Sequence, residues 1–277
     1  MAMEVVFWGV RGSMACCSSQ HRRYGGHTSC ISVKCDDRLI ILDAGTGLYD
    51  LGIWIREEKI KRADLLLTHF HFDHIIGLPF FPSVWDPDFH LTIHAVYQDD
   101  TPERLRLENF LRQYLFAAPF FPVSLDITQA HIKLKDHAMR VPFSLSPDIR
   151  VRSQALNHPG GATGYRINYQ GKSVSYITDT EHVADLTDPH VLELMQQADL
   201  VIYDATYTEA EFPDKIGWGH STWQEGVRLA KIADVKKLVL FHHDPGHTDA
   251  VLDVIEQQAQ AVWPRCLIAR QGMKMTL

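Results

Sequence analysis

Residues 68–77 read Thr-His-Phe-His-Phe-Asp-His-Ile-Ile-Gly, and four metal-binding side chains, His69, His71, Asp73 and His74, fall within six of these positions. Neutral imidazole nitrogens and a carboxylate are donors that zinc, iron or manganese accept without a thiolate. Just upstream, Asp64-Leu65-Leu66-Leu67 reads as a buried strand over Asp64–Thr68. If the extended backbone continues, His69 and His71 point the same way as alternate residues, and Asp73 and His74 reach the same space from the turn beyond. Gly77 and Pro79 then stop any long regular element. One such histidine would be an ordinary core or surface residue. Four donors with this spacing after a buried strand read as a metal site.

Three more stretches place donors at the ends of predicted strands. His158 follows a strand at Ile149–Leu156, Asp179 follows one at Ser173–Thr178, and His242-His243 closes Lys237–Phe241. The register of the last strand favours His242, because His243 faces the other way if the strand persists. Strand ends are rigidly held and can bring remote donors to one edge of a fold. A pair of cations there would lower the pKa of water to about 7 and neutralise charge developing on a substrate oxygen. No Gly-x-Ser-x-Gly elbow offers a competing serine nucleophile. Ligand type suits zinc first, with manganese and iron as alternatives.

The elements that must hold these donors follow from local pattern. Glu4–Trp8 is strand-like, and a Gly-, Ser- and Arg-rich loop runs from Arg11 to Ser29. Ile31–Cys35 and Leu39–Leu42 pair across Asp36-Asp37, and Asp43-Ala44-Gly45-Thr46-Gly47 leads into a helix at Leu48–Glu58. Asp43 is placed to cap that helix or to brace a ligating histidine. Leu91–Ala95 is a strand, and an amphipathic helix starts at Thr101-Pro102-Glu103 and runs to Leu115. The aromatic and proline cluster at 116–122 cannot continue it and reads as a lid, a self-association surface or core packing. Gly164–Tyr169 and Ser173–Thr178 flank a hairpin turn at Gln170-Gly171-Lys172. Helices at Asp188–Gln197, Thr222–Ala233 and Thr248–Ala261 alternate with strands at Leu200–Tyr203, Lys237–Phe241 and Cys266–Ala269, and Met273–Thr276 closes the chain as a strand. This order gives a mixed-sheet α/β domain. With no repeat or linker, one domain over 1–277 is expected, carrying a helical and aromatic insertion at about 99–122.

Bulk composition limits the function. The chain has 277 residues, 45% hydrophobic and 22% charged, with a formal net charge of −7, and such a length buries a sizeable core without disulfides. The acidic balance argues against sequence-independent binding of long nucleic acid, which needs many Lys and Arg contacts to phosphate. The five cysteines form no C-x-x-C pair and no even set, as expected of reduced thiols in the cytoplasm. Neither a signal peptide nor a membrane span is read from the sequence.

The H-x-H-x-D-H run at 69–74 after a hydrophobic strand resembles the signature of the metallo-β-lactamase superfamily, and the later donors occur in that superfamily's order. The resemblance implies an αββα sandwich, two mixed sheets between helices. It implies that His69, His71 and His158 hold one metal, that Asp73, His74 and His242 hold a second, and that Asp179 bridges them. Asp204-Ala205-Thr206 and His220-Ser221-Thr222 are similar to the H-E-A-T and H-S-T segments of the ribonuclease Z and phosphodiesterase branch. There an acidic residue orients a histidine that protonates the leaving oxygen, so Asp204 and His220, with Asp73, are the implied catalytic residues. Asp204 stands where that branch usually carries Glu. Arg23-Tyr24-Gly25-Gly26-His27-Thr28-Ser29-Cys30 resembles the R-Y-G-G-N-T-S-C segment of a bacterial branch, with His27 in place of Asn.

These readings lead to a hydrolase with two divalent metals acting on a small or cyclic phosphodiester such as a cyclic nucleotide. A transfer-RNA 3′ endonuclease shares the motifs but should carry a long Gly/basic arm, which the sequence lacks. Opening of a lactone, thioester or β-lactam would need the metals without Asp204 and His220, and a metal-dependent sensing module is the non-enzyme alternative. A homodimer is expected from the aromatic 110–121 region and from the resemblance.

Overall fold

The computed structural model describes residues 3–97 and 101–277. Two seven-stranded sheets are built by the same plan. In the first, β1 (Met3–Gly9), β2 (Cys30–Cys35) and β3 (Arg38–Leu42) are antiparallel neighbours. β4 (Arg62–Leu66), β5 (His90–Tyr97) and β6 (His131–Ala138) then add in parallel. In the second, β7 (Phe143–Ser146), β8 (Ile149–Leu156), β9 (Ala162–Tyr169) and β10 (Lys172–Ile177) pair antiparallel. β11 (Leu200–Asp204), β12 (Leu238–Phe241) and β13 (Cys266–Ile268) follow in parallel. The last strand, β14 (Lys274–Thr276), returns to pair with β1.

Side-chain alternation makes the layers. Ile40 and Leu42 face the core between the sheets with Leu66, Tyr165, Tyr176, Ile202 and Phe241. Leu39 and Ile41 face the outer layer with Leu65 and Ile93. The second sheet turns Val201, Tyr203 and Leu240 outward in the same way. Helix α1 (Leu48–Glu57) covers the first sheet by burying Leu48, Leu51, Gly52 and Ile55, an i, i+3, i+4, i+7 stripe. Two single turns, α2 (Phe72–Ile75) and α3 (Leu107–Phe110), follow β4 and β5 respectively. α4 (Pro189–Met195), α5 (Trp223–Ile232) and α6 (Asp249–Val262) cover the second sheet. Asp188, Thr222 and Thr248 cap these three through their side chains. The arrangement is the αββα sandwich. Among the described residues no helix is long and apolar enough to cross a membrane.

Some elements differ from the sequence reading. The strand expected to reach Thr68 ends at Leu66, so His69 and His71 lie in the turn before α2 and not on extended strand. The helix expected from Thr101 to Leu115 is broken into a 3₁₀ turn at Glu103–Leu105, α3, and a π turn at Leu111–Leu115. Arg106 is extended at the break. Leu105 and Leu107, two residues apart, lie on opposite faces of any continuous helix; the break buries Leu107 fully and leaves Leu105 partly exposed. Strands β6 and β7 have no counterpart in the sequence reading. Part of the 99–122 insertion, residues 99 and 100, lies outside the described residues; from 101 it forms these turns, with Leu111, Leu115 and Phe116 in the core and Phe120 at 74% exposure.

Candidate metal and acid site

Every strand that delivers a site residue ends on one edge. Asp43 follows β3, the 69–74 turn follows β4, His158 follows β8, Asp179 follows β10, Asp204 ends β11, and His242 follows β12. Edges at the carboxyl ends of parallel strands are where such folds bind ligands. Asp43, Asp179 and His242 turn sharply off their strands at φ of 61°, 56° and 62°. Positive φ is uncommon outside glycine, and three such residues converging on one pocket mark backbone held for function.

Five overlapping groups of three donors result among the described residues, two of them the sets that the resemblance implies. The ligand atoms of His69, His71 and His158 lie within 4.8 Å of one another, and so do those of Asp73, His74 and His242. Hydrogen bonds fix which nitrogen each imidazole turns inward. Thr68 Oγ1 donates to Asp43 and lies 2.9 Å from His69 Nδ1, from which it can accept. His69 Nε2 is then left buried without a partner among the described residues. His158 Nδ1 donates to the Gly219 carbonyl at 2.8 Å, leaving its Nε2 lone pair 2.9 Å from His71 Nδ1. His74 Nδ1 donates to Asp43 Oδ2 at 2.8 Å, and His242 Nδ1 lies 3.0 Å from Thr206 Oγ1. With both Nδ1 atoms so engaged, His74 Nε2 and His242 Nε2 meet at 3.2 Å, and Asp73 Oδ2 lies 3.2 and 3.3 Å from them. Lone pairs and carboxylates crowded in this way require positive charge among them, supplied by a bound cation or, without one, by a proton on His74.

Asp179 spans the two groups. Its Oδ1 is 3.8 Å from both His69 Nε2 and His158 Nε2, while its Oδ2 is 3.2 Å from His74 Nε2 and 3.4 Å from His242 Nε2. Burial opposes its ionisation, but His242, His74 and His69 outweigh that and hold the carboxyl well below the usual range. Desolvation holds His69, His71 and His158 below the ordinary imidazole value, which favours neutral donors. His74 is raised well above it, because Asp179, Asp73 and Asp43 overcome its burial. An orphaned buried nitrogen, neutral imidazoles and an ionised carboxylate shared between two donor groups fit a pair of divalent cations.

Beside both groups stands a carboxylate–imidazole pair. Asp204 Oδ2 lies 3.0 Å from His220 Nδ1, which is 3.9 Å from Asp179 Oδ1. The short Asp204 side chain therefore makes the contact. Burial pushes the His220 imidazole down, but Asp204, then Asp179 and Asp73, raise it to about 9.

The structure thus brings together His69, His71, Asp73, His74, His158, Asp179, Asp204, His220 and His242. His243 points elsewhere, its Nε2 2.9 Å from the Ala269 carbonyl, and burial lowers its pKa to about 3. His27 pairs with Thr46 and Asp50 at the start of α1. Sequence reasoning missed several groups. Ser13 N–H donates to Asp73 Oδ2 at 2.7 Å, Tyr176 donates to Asp43 Oδ2 at 2.9 Å, and Gly12 packs so closely on His242 that a Cβ would come within 2.4 Å of the ring. A backbone N–H and a missing side chain leave no composition signal; Tyr176 reads only as a strand aromatic.

Residues 38–243 match the family described as Beta-lactamase superfamily domain, and the chain belongs to it. Fold and donor set together define a metallo-β-lactamase-fold hydrolase with a site compatible with divalent metal. Among curated relatives, a protein named Ribonuclease Z from Haloarcula marismortui is 24% identical, over 99% of this chain and 96% of its own. Among solved structures, the metallo-beta-lactamase fold protein YhfI from Bacillus subtilis superposes with a TM-score of 0.74 at 20% identity, covering 100% of both chains. A structure described as a new diphosphatase from the PhnP family gives a TM-score of 0.70 at 18% identity, over 100% of this chain and 98% of its own.

Proposed function

We propose that this protein is a metal-dependent phosphodiesterase acting on a small or cyclic phosphodiester. His69, His71 and His158 would hold one divalent cation and Asp73, His74 and His242 a second, with Asp179 shared; zinc suits this donor set first. When bound, such cations supply Lewis acidity and an activated nucleophile at neutral pH. The chain supplies the rest. Asp204 orients His220 through Nδ1, and His220 Nε2–H is the proton source for the departing oxygen. Asp43, Thr68 and Gly219 hold imidazoles in place.

The observation that carries this reading is the Asp204–His220 pair set against both donor groups. An alkoxide leaving group gains from a proton donor, which a thiolate leaving a thioester does not demand. A cleft of about 550 Å³ beside His69 and His71 suits a small substrate. Phe70, Tyr97, Phe110 and Met139 line it, and no Lys or Arg does among the described residues. A polynucleotide track would need such cations. The full-length relatives named Ribonuclease Z favour a second reading, cleavage of a transfer-RNA 3′ trailer. The deciding assay offers zinc-loaded protein an activated phosphodiester, 2′,3′- and 3′,5′-cyclic nucleotides, and a precursor transfer RNA. Turnover of the small diesters supports the first reading; cleavage of the RNA alone replaces it with the second.

A further inference from the structure

Thr206 occupies a junction that the proposed chemistry does not itself require. Its hydroxyl lies 3.0 Å from His242 Nδ1, 2.7 Å from Asp204 Oδ1 and 2.8 Å from the His242 carbonyl. The residue is buried, as are Asp204 and His242. A hydroxyl has one proton and can accept others. If His242 Nδ1–H donates to Oγ1, the hydroxyl proton is free to go to the charged Asp204 Oδ1, the shorter contact and the stronger acceptor. The Thr206 backbone N–H donates to that same oxygen at 3.0 Å, and Thr180 N–H holds the other at 3.1 Å, so the carboxylate cannot swing. Asp204 Oδ2 remains for His220.

We infer that Thr206 is a positioning residue that links the proton-donor pair to the Asp73–His74–His242 donor group, so that one carboxylate, Asp204, orients His220 directly and His242 through the threonine hydroxyl. The linkage fixes His242 as the Nδ1–H tautomer and turns its Nε2 lone pair toward Asp73, His74 and Asp179. It leaves His74, braced separately by Asp43, untouched. The two imidazoles of that group therefore depend on different carboxylates, one from each sheet. This inference rests on the metal-dependent reading above.

The test compares Thr206→Val, which keeps the shape and loses the hydroxyl, with Thr206→Ser, which keeps the hydroxyl. Metal-free protein is titrated with zinc against a chromophoric chelator. Wild type should take two equivalents. Thr206→Val should bind one of them about 10–100-fold more weakly, the usual worth of a partner behind a ligating histidine, and Thr206→Ser should restore it. Wild-type affinity for both equivalents in Thr206→Val overturns the inference. Failure of wild type to bind zinc at all overturns the metal reading instead. Should Thr206→Val not fold, nitrogen-15 NMR of wild-type His242 decides: a protonated Nδ1 with bare Nε2 is expected, and the opposite tautomer overturns the linkage.

Discussion

Asp43, just past β3, and His74, in the turn α2 that follows β4, meet at 2.8 Å, Oδ2 to Nδ1, with both side chains fully buried. The same carboxylate accepts hydrogen bonds from Thr68 N–H, Thr68 Oγ1 and Tyr176 OH. It is thus a four-way anchor behind the donor cluster, in contact with His74 but with none of the other donor imidazoles. Asp43→Asn keeps the volume and removes the charge that orients His74. Zinc affinity should fall about 10–100-fold, measured by competition with a chelator, while the far-ultraviolet circular dichroism stays that of wild type.

Asp179→Ala removes the carboxylate that lies between both donor groups. Bound zinc, counted by elemental analysis, and turnover should be lost together. Retention of two equivalents by this variant would contradict the assignment.

His220→Ala should behave differently. Both cations stay bound, and hydrolysis slows by about 10²–10⁴-fold for an alkoxide leaving group. The loss should shrink for a p-nitrophenolate ester, whose leaving group needs little protonation. Loss of zinc would instead make His220 a ligand.

Gly12→Ala tests the close approach of the first loop to His242. The added carbon would come within 2.4 Å of the imidazole, so loop or ring must move. Reduced zinc affinity is expected with the melting temperature little changed. Equal affinity would show that the Arg11–Ser13 loop can yield without disturbing the ring.

Acid should weaken the fold through His137, remote from the cluster. Burial, with His94 and Lys135 nearby, lowers its pKa from 6.5 to about 4. Its ring stacks on Phe143 at 3.7 Å and lies 2.9 Å from His94, which in turn meets Asp64. The folded state favours the neutral ring, so this contribution is complete above the unfolded value of 6.5 and is lost as pH falls from there through 4. His137→Phe should reduce the slope of the denaturation midpoint against pH over that window. An unchanged pH dependence would place the titration elsewhere.

Much of the fold was readable because its strands are short apolar runs closed by turn residues. Ile149–Leu156 was delimited as found, and Thr222 and Thr248 marked helix starts. The pairing of two sheets face to face was not readable from pattern and came from the resemblance. β6 was missed because it is an edge-like strand alternating Lys133 and Lys135 with half-buried Ile132 and Leu134, a weak hydrophobic signal. The donors were legible because histidine and aspartate at strand ends are rare in combination. Apart from Asp43 their supports were not, since Thr68, Thr206 and Tyr176 act through hydroxyls that reach Asp43 or His242 across 25, 36 and 133 positions.

The donors are divided between the two sheets, and Asp73 and His242 meet across 169 positions of chain. During synthesis the early histidines emerge long before their counterparts. The His69–His71–His158 group is therefore complete by position 158, whereas the Asp73–His74–His242 group closes only once the final third has docked, so a chain truncated before His242 would forfeit one half of the pair and keep the other.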